Sequence, residues 1–190
     1  MTKLVLDISM FLDGYVTADR RTPDEPLGAG GEALHDWLLS GSEEDHAMLA
    51  EAGAGTGAVI TGRRNYEDSI RWWGADGPSG DARLPVFVVS HSPGELPEGG
   101  VYVFCDGIER ALEAARGVAD HRTVCVMGGA DVAQQYLKAG LVDEISIHLV
   151  PILFGGGLRL FEHLGDEHIR LENLSSQQTA AATHLRFRVL

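Results

Sequence analysis

The sequence predicts an α/β protein whose central sheet is mixed but mainly parallel and ends in antiparallel edge strands. Three observations predict it. Apolar runs of strand length alternate with amphipathic runs of helix length over most of the chain, the pattern of parallel strands joined by crossover helices. Two crossovers are entered through glycine, Gly62 in "AVITGRRNYE" and Gly128-Gly129 in "VMGGADVAQQYL". From residue 143 onward strand-like runs dominate, so antiparallel pairs are expected at that end.

The elements follow in order. Residues 3–10 set Leu4, Leu6, Ile8 and Met10 against Val5, Asp7 and Ser9, a strand that turns at Asp13-Gly14. Residues 17–31 are rich in glycine, proline and charge and read as a loop. "EALHDWLLSG" reads as a short helix with Leu34, Trp37 and Leu38 on one face and Gly41 beyond its end. Ser42 and Asp45 have capping-box spacing for the next helix, with Asp in place of the usual Glu or Gln. The strand "AVIT" runs into the helix "GRRNYEDSIRWW", and residues 74–84 are a second loop. Strands "PVFVVS" and "VYVFC", helix "IERALEAARGVA", strand "TVCVMGG", helix "ADVAQQYLKAG" and strands "DEISIHLVPIL" and "LRFRVL" complete the chain. No linker divides it, so residues 1–190 are expected to form one domain.

Composition excludes several functions. With 44% hydrophobic and 23% charged residues the chain suits a soluble globular fold, and its net charge of -13 speaks against nucleic acid and anionic membrane surfaces. No run reaches the roughly 18 apolar residues of a spanning helix. Asp7 and Asp13 interrupt any signal-peptide core, so a cytoplasmic protein is expected. Cys105 and Cys125 read as buried free thiols, and the histidines show no metal-ligand spacing, so no metal is expected.

Chemistry is expected where strands end. In open α/β sheets ligands bind beyond the carboxyl ends of the strands, where helix N-termini offer free N–H groups to anions. Gly128 and Gly129 occupy such a turn, although a glycine pair serves a plain tight turn equally well. Gly62, Arg63, Arg64 and Asn65 occupy another, and paired guanidiniums beside a helix start suit a phosphate. Ser90 and His91 follow a third strand. Asp7 and His148 each interrupt an apolar strand, where a polar side chain needs a partner or a task.

The stretches "SMFLDGYV", "VITGRRNYE", "VFVVSHSPG", "VMGGADVAQQYL" and "DEISIHLVPILFGGGLRLF", in that order, resemble the dihydrofolate reductase superfamily. The resemblance is closest to the RibD C-terminal family, the reductase part of a bacterial bifunctional riboflavin enzyme. It implies a three-layer α/β/α fold around an eight-stranded mixed sheet, with NADPH as hydride donor. It assigns the cofactor phosphates to Gly62, Arg63, Arg64 and Asn65, the last replacing the family's usual Thr. It assigns the adenosine 2′-phosphate to Ser90 and His91, and the pyrophosphate and nicotinamide to Gly128, Gly129 and the backbone of Ala130, Asp131 and Val132. Folate enzymes carry a carboxylate that grips the pterin, and Leu34 aligns with it here, so folate reduction is not expected.

Asp7 and His148 are the candidate catalytic pair for moving a proton. Ser9, Asp13 and Trp37 are candidate substrate contacts. The expected function is NADPH-dependent reduction of a small heterocyclic or sugar-bearing molecule by a homodimer. Reduction of the ribosyl aminopyrimidine phosphate of riboflavin synthesis is one alternative, and it needs a second phosphate site. Binding of NADP(H) without turnover, in a sensing or interaction role, is another.

Overall fold

The computed structural model describes residues 2–22 and 24–190. The chain runs β1 (Leu4–Phe11), β2 (Tyr15–Thr17), α1 (Asp36–Ser40), α2 (Glu43–Gly55), β3 (Thr56–Gly62), α3 (Arg63–Trp73), β4 (Val86–Val89) and β5 (Tyr102–Cys105). It continues through α4 (Ile108–Val118), β6 (Thr123–Met127), α5 (Ala130–Lys138), β7 (Glu144–Val150), β8 (Leu158–Arg159), β9 (Leu171–Gln178) and β10 (Thr183–Val189). Eight strands form one sheet in the order β5-β4-β3-β6-β1-β7-β10-β9. The six strands from β5 to β7 are mutually parallel, and β10 and β9 close the edge antiparallel. This is the expected three-layer arrangement.

Both sheet faces are covered, which explains the nearly continuous apolar runs of β3, β4 and β6. On one face Leu4, Leu6, Ile60 and Val126 pack against α4 and α5 through Ala111, Ala115, Ala133 and Tyr136. On the other, Val59, Val86 and Val88 meet Tyr66 of α3. Farther along that face Phe11 and Val150 meet Leu34 and Trp37. Period two in the strands thus sends alternate residues to different helices.

The structure departs from the sequence reading in three places. The helix expected at residues 32–41 begins as a 3-10 turn over Gly31–His35 before α1, and Gly41 is extended rather than left-handed. The region around residues 15–17 contributes β2, which pairs with β8 in a second, two-stranded sheet. β9 has no apolar alternation because all eight of its residues are exposed; pairing with β10 alone makes it a strand. Among the described residues no helix is long and apolar enough to cross a membrane.

Candidate active site

Three helices start directly at the carboxyl ends of parallel strands, and each has a glycine N-cap without a side-chain cap: Gly62 before α3, Gly107 before α4 and Gly129 before α5. The first N–H groups of a helix have no acceptor within it, and its N-terminus carries partial positive charge. Leaving these ends uncapped keeps the donors available. Gly107 escaped the sequence reading, although "CDGIERAL" shows the same strand–glycine–helix step.

The Gly62 and Gly128-Gly129 turns pack on each other. Gly128 and Gly129 have φ of +69° and +85°, a region that disfavours any side chain. A Cβ on Gly128 would lie 2.6 Å from Asn65 Cγ, whereas on Gly129 it would meet nothing nearer than 3.6 Å, at Gly62 N. Gly128 therefore makes room for Asn65, and the space above Gly129 stays open. Asn65 Nδ2 donates to Thr61 Oγ1 at 2.9 Å and to the Met127 carbonyl at 3.4 Å, joining the two turns.

Arg63 reaches sideways to the turn after β4. It donates to Ser90 Oγ at 3.2 Å and to the Ser92 carbonyl at 2.9 Å, and pairs with Glu67 at 2.6 Å. Arg64 is exposed at the start of α3. Beyond Arg63, Ser90, His91, Ser92, Pro93, Phe104 and Asp106 line a shallow hollow of about 140 Å³. His91 Nδ1 lies 2.9 Å from Asp106 Oδ1, so a carboxylate that the sequence reading passed over stands at the expected 2′-phosphate position.

Asp7 and His148 come together: His148 Nε2 is 3.0 Å from Asp7 Oδ1. Ser9, His148 and His184 are register partners across β1, β7 and β10, so they form one row on one sheet face. His148 Nδ1 lies 2.7 Å from His184 Nδ1, and His184 Nε2 lies 2.8 Å from Asp45 Oδ1. The result is an unbroken line, Asp7–His148–His184–Asp45. Asp7 is also level with Met127, the residue before the glycine pair.

The inner end of this line is firmly held. Ser42 and Asp45 form the complete capping box that their spacing suggests. Asp45 also accepts from Ser42 Oγ and from Thr179 Oγ1. Burial pushes its carboxyl up, but the hydrogen bonds from Ser42, Thr179 and His184 outweigh it and hold the pKa at about 2. Burial pulls His184 below the ordinary histidine value, and so does the neighbouring His148, against the pull of Asp45 and Asp7.

Trp37 and Ser9 do not offer free surfaces. Trp37 Nε1 donates to Ser9 Oγ at 2.9 Å, and the indole stacks on His148 with ring centroids 4.2 Å apart. Both are buried, so the expected substrate contacts turn toward each other and fix the His148 ring. Asp13 is likewise engaged: its Oδ2 accepts from Gly155 N at 2.7 Å, tying the first turn to the "FGGG" segment. Phe154 in that segment stacks on Phe11 at 4.3 Å. Asp45 and His184 had little signal in the sequence. Asp45 reads fully as a cap, and His184 gains its partner only through antiparallel register.

A mainly parallel sheet with uncapped helix starts on one side and a buried carboxylate–imidazole line on the other defines an α/β enzyme of the reductase type. The chain belongs to the RibD C-terminal domain family, which matches residues 2–185. It is 25% identical over 185 residues to the protein YwjB of Bacillus subtilis (strain 168), covering 97% of both chains. A solved structure from Shewanella sp. PV-4, of a protein named for riboflavin biosynthesis, superposes with a TM-score of 0.71 at 25% identity, covering 100% of this chain and 99% of that one. RibD of Acinetobacter baumannii shares the fold, with a TM-score of 0.65 at 17% identity, and this chain covers 58% of it.

Proposed function

We propose that this chain is an NADPH-dependent reductase that delivers hydride to a small heterocyclic or sugar-bearing substrate containing C=N or C=O. The observation that carries the reading is the register of Asp7 with Met127. It sets a hydrogen-bonded carboxylate–imidazole pair beside the glycine turn where a dinucleotide fits. The open space at Gly129 and the uncapped starts of α3, α4 and α5 fit an anionic dinucleotide. Gly62, Arg64, Asn65, Gly128 and Gly129, with the N–H groups of Ala130, Asp131 and Val132, would hold its phosphates, and Arg63, Ser90 and His91 its adenosine end.

Reduced nicotinamide, when bound, supplies the hydride. The chain's own residues orient the substrate and provide a proton from Asp7 at the substrate nitrogen or oxygen. Trp37 and Ser9 hold His148 so that it faces Asp7, and Asp13 shapes the turn that shelters the cleft. We further propose a cytoplasmic homodimer; sedimentation of the purified protein at twice the chain mass checks the dimer.

Two of the loop arginines that could hold a phosphate on the substrate are already engaged. Arg21 is paired with Asp68 at 3.0 Å, and Arg83 donates to the Gly99 carbonyl and pairs with Asp76. The test is titration of purified protein with NADPH and NADH, followed by tryptophan fluorescence, and then a substrate screen by NADPH oxidation. Saturable NADPH binding and oxidation coupled to a carbonyl or imine substrate are expected. Absence of binding by either dinucleotide would overturn the reading. Binding without any turnover would favour a sensing role.

A further inference from the structure

The Asp7–His148–His184–Asp45 line holds more than a simple acid–base pair. A carboxylate oxygen facing a ring nitrogen at 3.0 or 2.8 Å needs one hydrogen between them, and so do two ring nitrogens at 2.7 Å. Three contacts therefore hold three protons. The four groups in their neutral forms would hold four, one each. With those three protons the line carries a net charge of -1, and a fourth proton, on the outer oxygen of Asp7, makes it neutral. With both aspartates ionised, the two imidazoles share a single positive charge, and the proton that defines it lies between the two Nδ1 atoms.

Exposure grades along the same line. The side chains of Asp7, His148, His184 and Asp45 are 24, 11, 5 and 0% accessible. Asp7 is the outlet, and Asp45 is the sealed end, in the first turn of α2 where the helix dipole favours a fixed negative charge. The remaining surroundings add little that titrates. Trp37 covers both rings from α1, Ser9 flanks them on β1, and on β6 the buried Cys125 thiol is pushed well above its ordinary value, by burial first and then by Asp7.

Resting on the reductase reading, we propose that His184 and Asp45 complete a buried charge shuttle behind Asp7. The donor form has a proton on Asp7 Oδ2, an imidazolium at His184 and a carboxylate at Asp45. As substrate carbon takes hydride, two electrons and one proton from reduced nicotinamide, its nitrogen or oxygen takes the Asp7 proton. The proton between the rings then moves from His184 Nδ1 to His148 Nδ1, placing the imidazolium beside the new Asp7 carboxylate. Reprotonation of Asp7 by solvent returns it. No net charge enters the interior, and Asp7 becomes a stronger acid at the moment it acts. His184 and Asp45 touch no substrate; they are positioning residues.

Nitrogen NMR of the histidine rings in the free protein tests this without turnover. One imidazolium is expected per pair of rings. Asp7→Asn, which mimics the neutral acid, should move His148 toward the neutral spectrum and His184 toward the imidazolium spectrum. Two neutral rings, or a pattern indifferent to Asp7→Asn, would overturn the shuttle. With a turnover assay in hand, Asp45→Asn should lower kcat about tenfold at unchanged KM. It should also move the alkaline limb of the kcat profile up by about one pH unit, because Asp7 loses its mobile counter-charge. A fall in kcat with an unmoved limb would mark a merely structural role. His184→Gln is the second variant, should Asp45→Asn fail to fold. If no substrate is ever turned over the reductase reading fails, and the NMR result still decides the charge shift.

Discussion

The two halves of the carboxyl edge of the sheet treat their polar groups in opposite ways. Around β3, β5 and β6, helices begin at glycines and their first N–H groups have no side-chain cap. Around β1, β7 and β10, α2 carries a complete capping box, and the ionisable side chains form one linked row. A glycine N-cap gives up only about a few tenths of a kcal/mol against Ser or Asp, and leaves the first N–H groups unbonded to any side chain. Doing so three times on one side fits a surface that takes its hydrogen bonds from an anionic ligand. A closed row on the other side fits a device that must hold its proton count without a ligand. The difference separates binding from proton handling.

The largest expected effect breaks the closed side. Asp7→Asn should reduce turnover by about 100-fold or more, since it removes the group that donates the proton. NADPH affinity, read by fluorescence titration, should stay unchanged because the binding side is intact. A matching loss of affinity would show that the two halves are not separate.

On the open side, Gly128→Ala should cost about 1–3 kcal/mol of stability, read by urea unfolding. The position has φ of +69°, and the new Cβ would press into Asn65. Adding Asn65→Ala should recover only part of the loss, because it relieves the contact and leaves the backbone strain. Full recovery would make the collision the whole cause.

Acid sharpens the comparison from the closed side again. Asp45 is fully buried with its folded pKa held at about 2, below the ordinary 3.8 of an aspartate side chain. A depressed carboxylate stabilises the fold above its unfolded pKa and ceases to do so as pH falls through its folded pKa. Stability on the order of 2 kcal/mol should therefore fade between roughly pH 4 and pH 2. Unfolding measured across that window should show the loss in the native chain and not in Asp45→Asn.

The two halves were also unequally legible. Strand-to-helix glycines are local, so Gly62 and the Gly128-Gly129 pair declare themselves through an apolar run that stops and an amphipathic run that starts. Asp7 and His148 stand out because each breaks an apolar strand. Their partnership with His184 and Asp45 depends on how β10 registers against β7 and where α2 docks, which no short-range pattern encodes. Ser42-Asp45 was fully readable as a helix cap, and that reading hid the second oxygen's partner. β9 was unreadable for another reason: an edge strand exposed on both faces has no alternation to display.

The smallest effect concerns selectivity at the adenosine end. Asp106 stands 2.9 Å from His91 in the hollow expected to take the 2′-phosphate, and Glu67 already occupies one side of Arg63. Two carboxylates there oppose a dianionic phosphate, and the exposed, solvent-screened setting limits the opposition to about 1 kcal/mol. Asp106→Asn should therefore raise affinity for NADPH several-fold and leave NADH nearly unchanged. The measurement is the ratio of the two dissociation constants at fixed salt. An unchanged ratio would mean that Asp106 does not act on the 2′-phosphate. A fall in affinity for NADH alone would mean instead that Asp106 holds the ribose 2′-hydroxyl, and that the open half of the edge is built for the unphosphorylated cofactor.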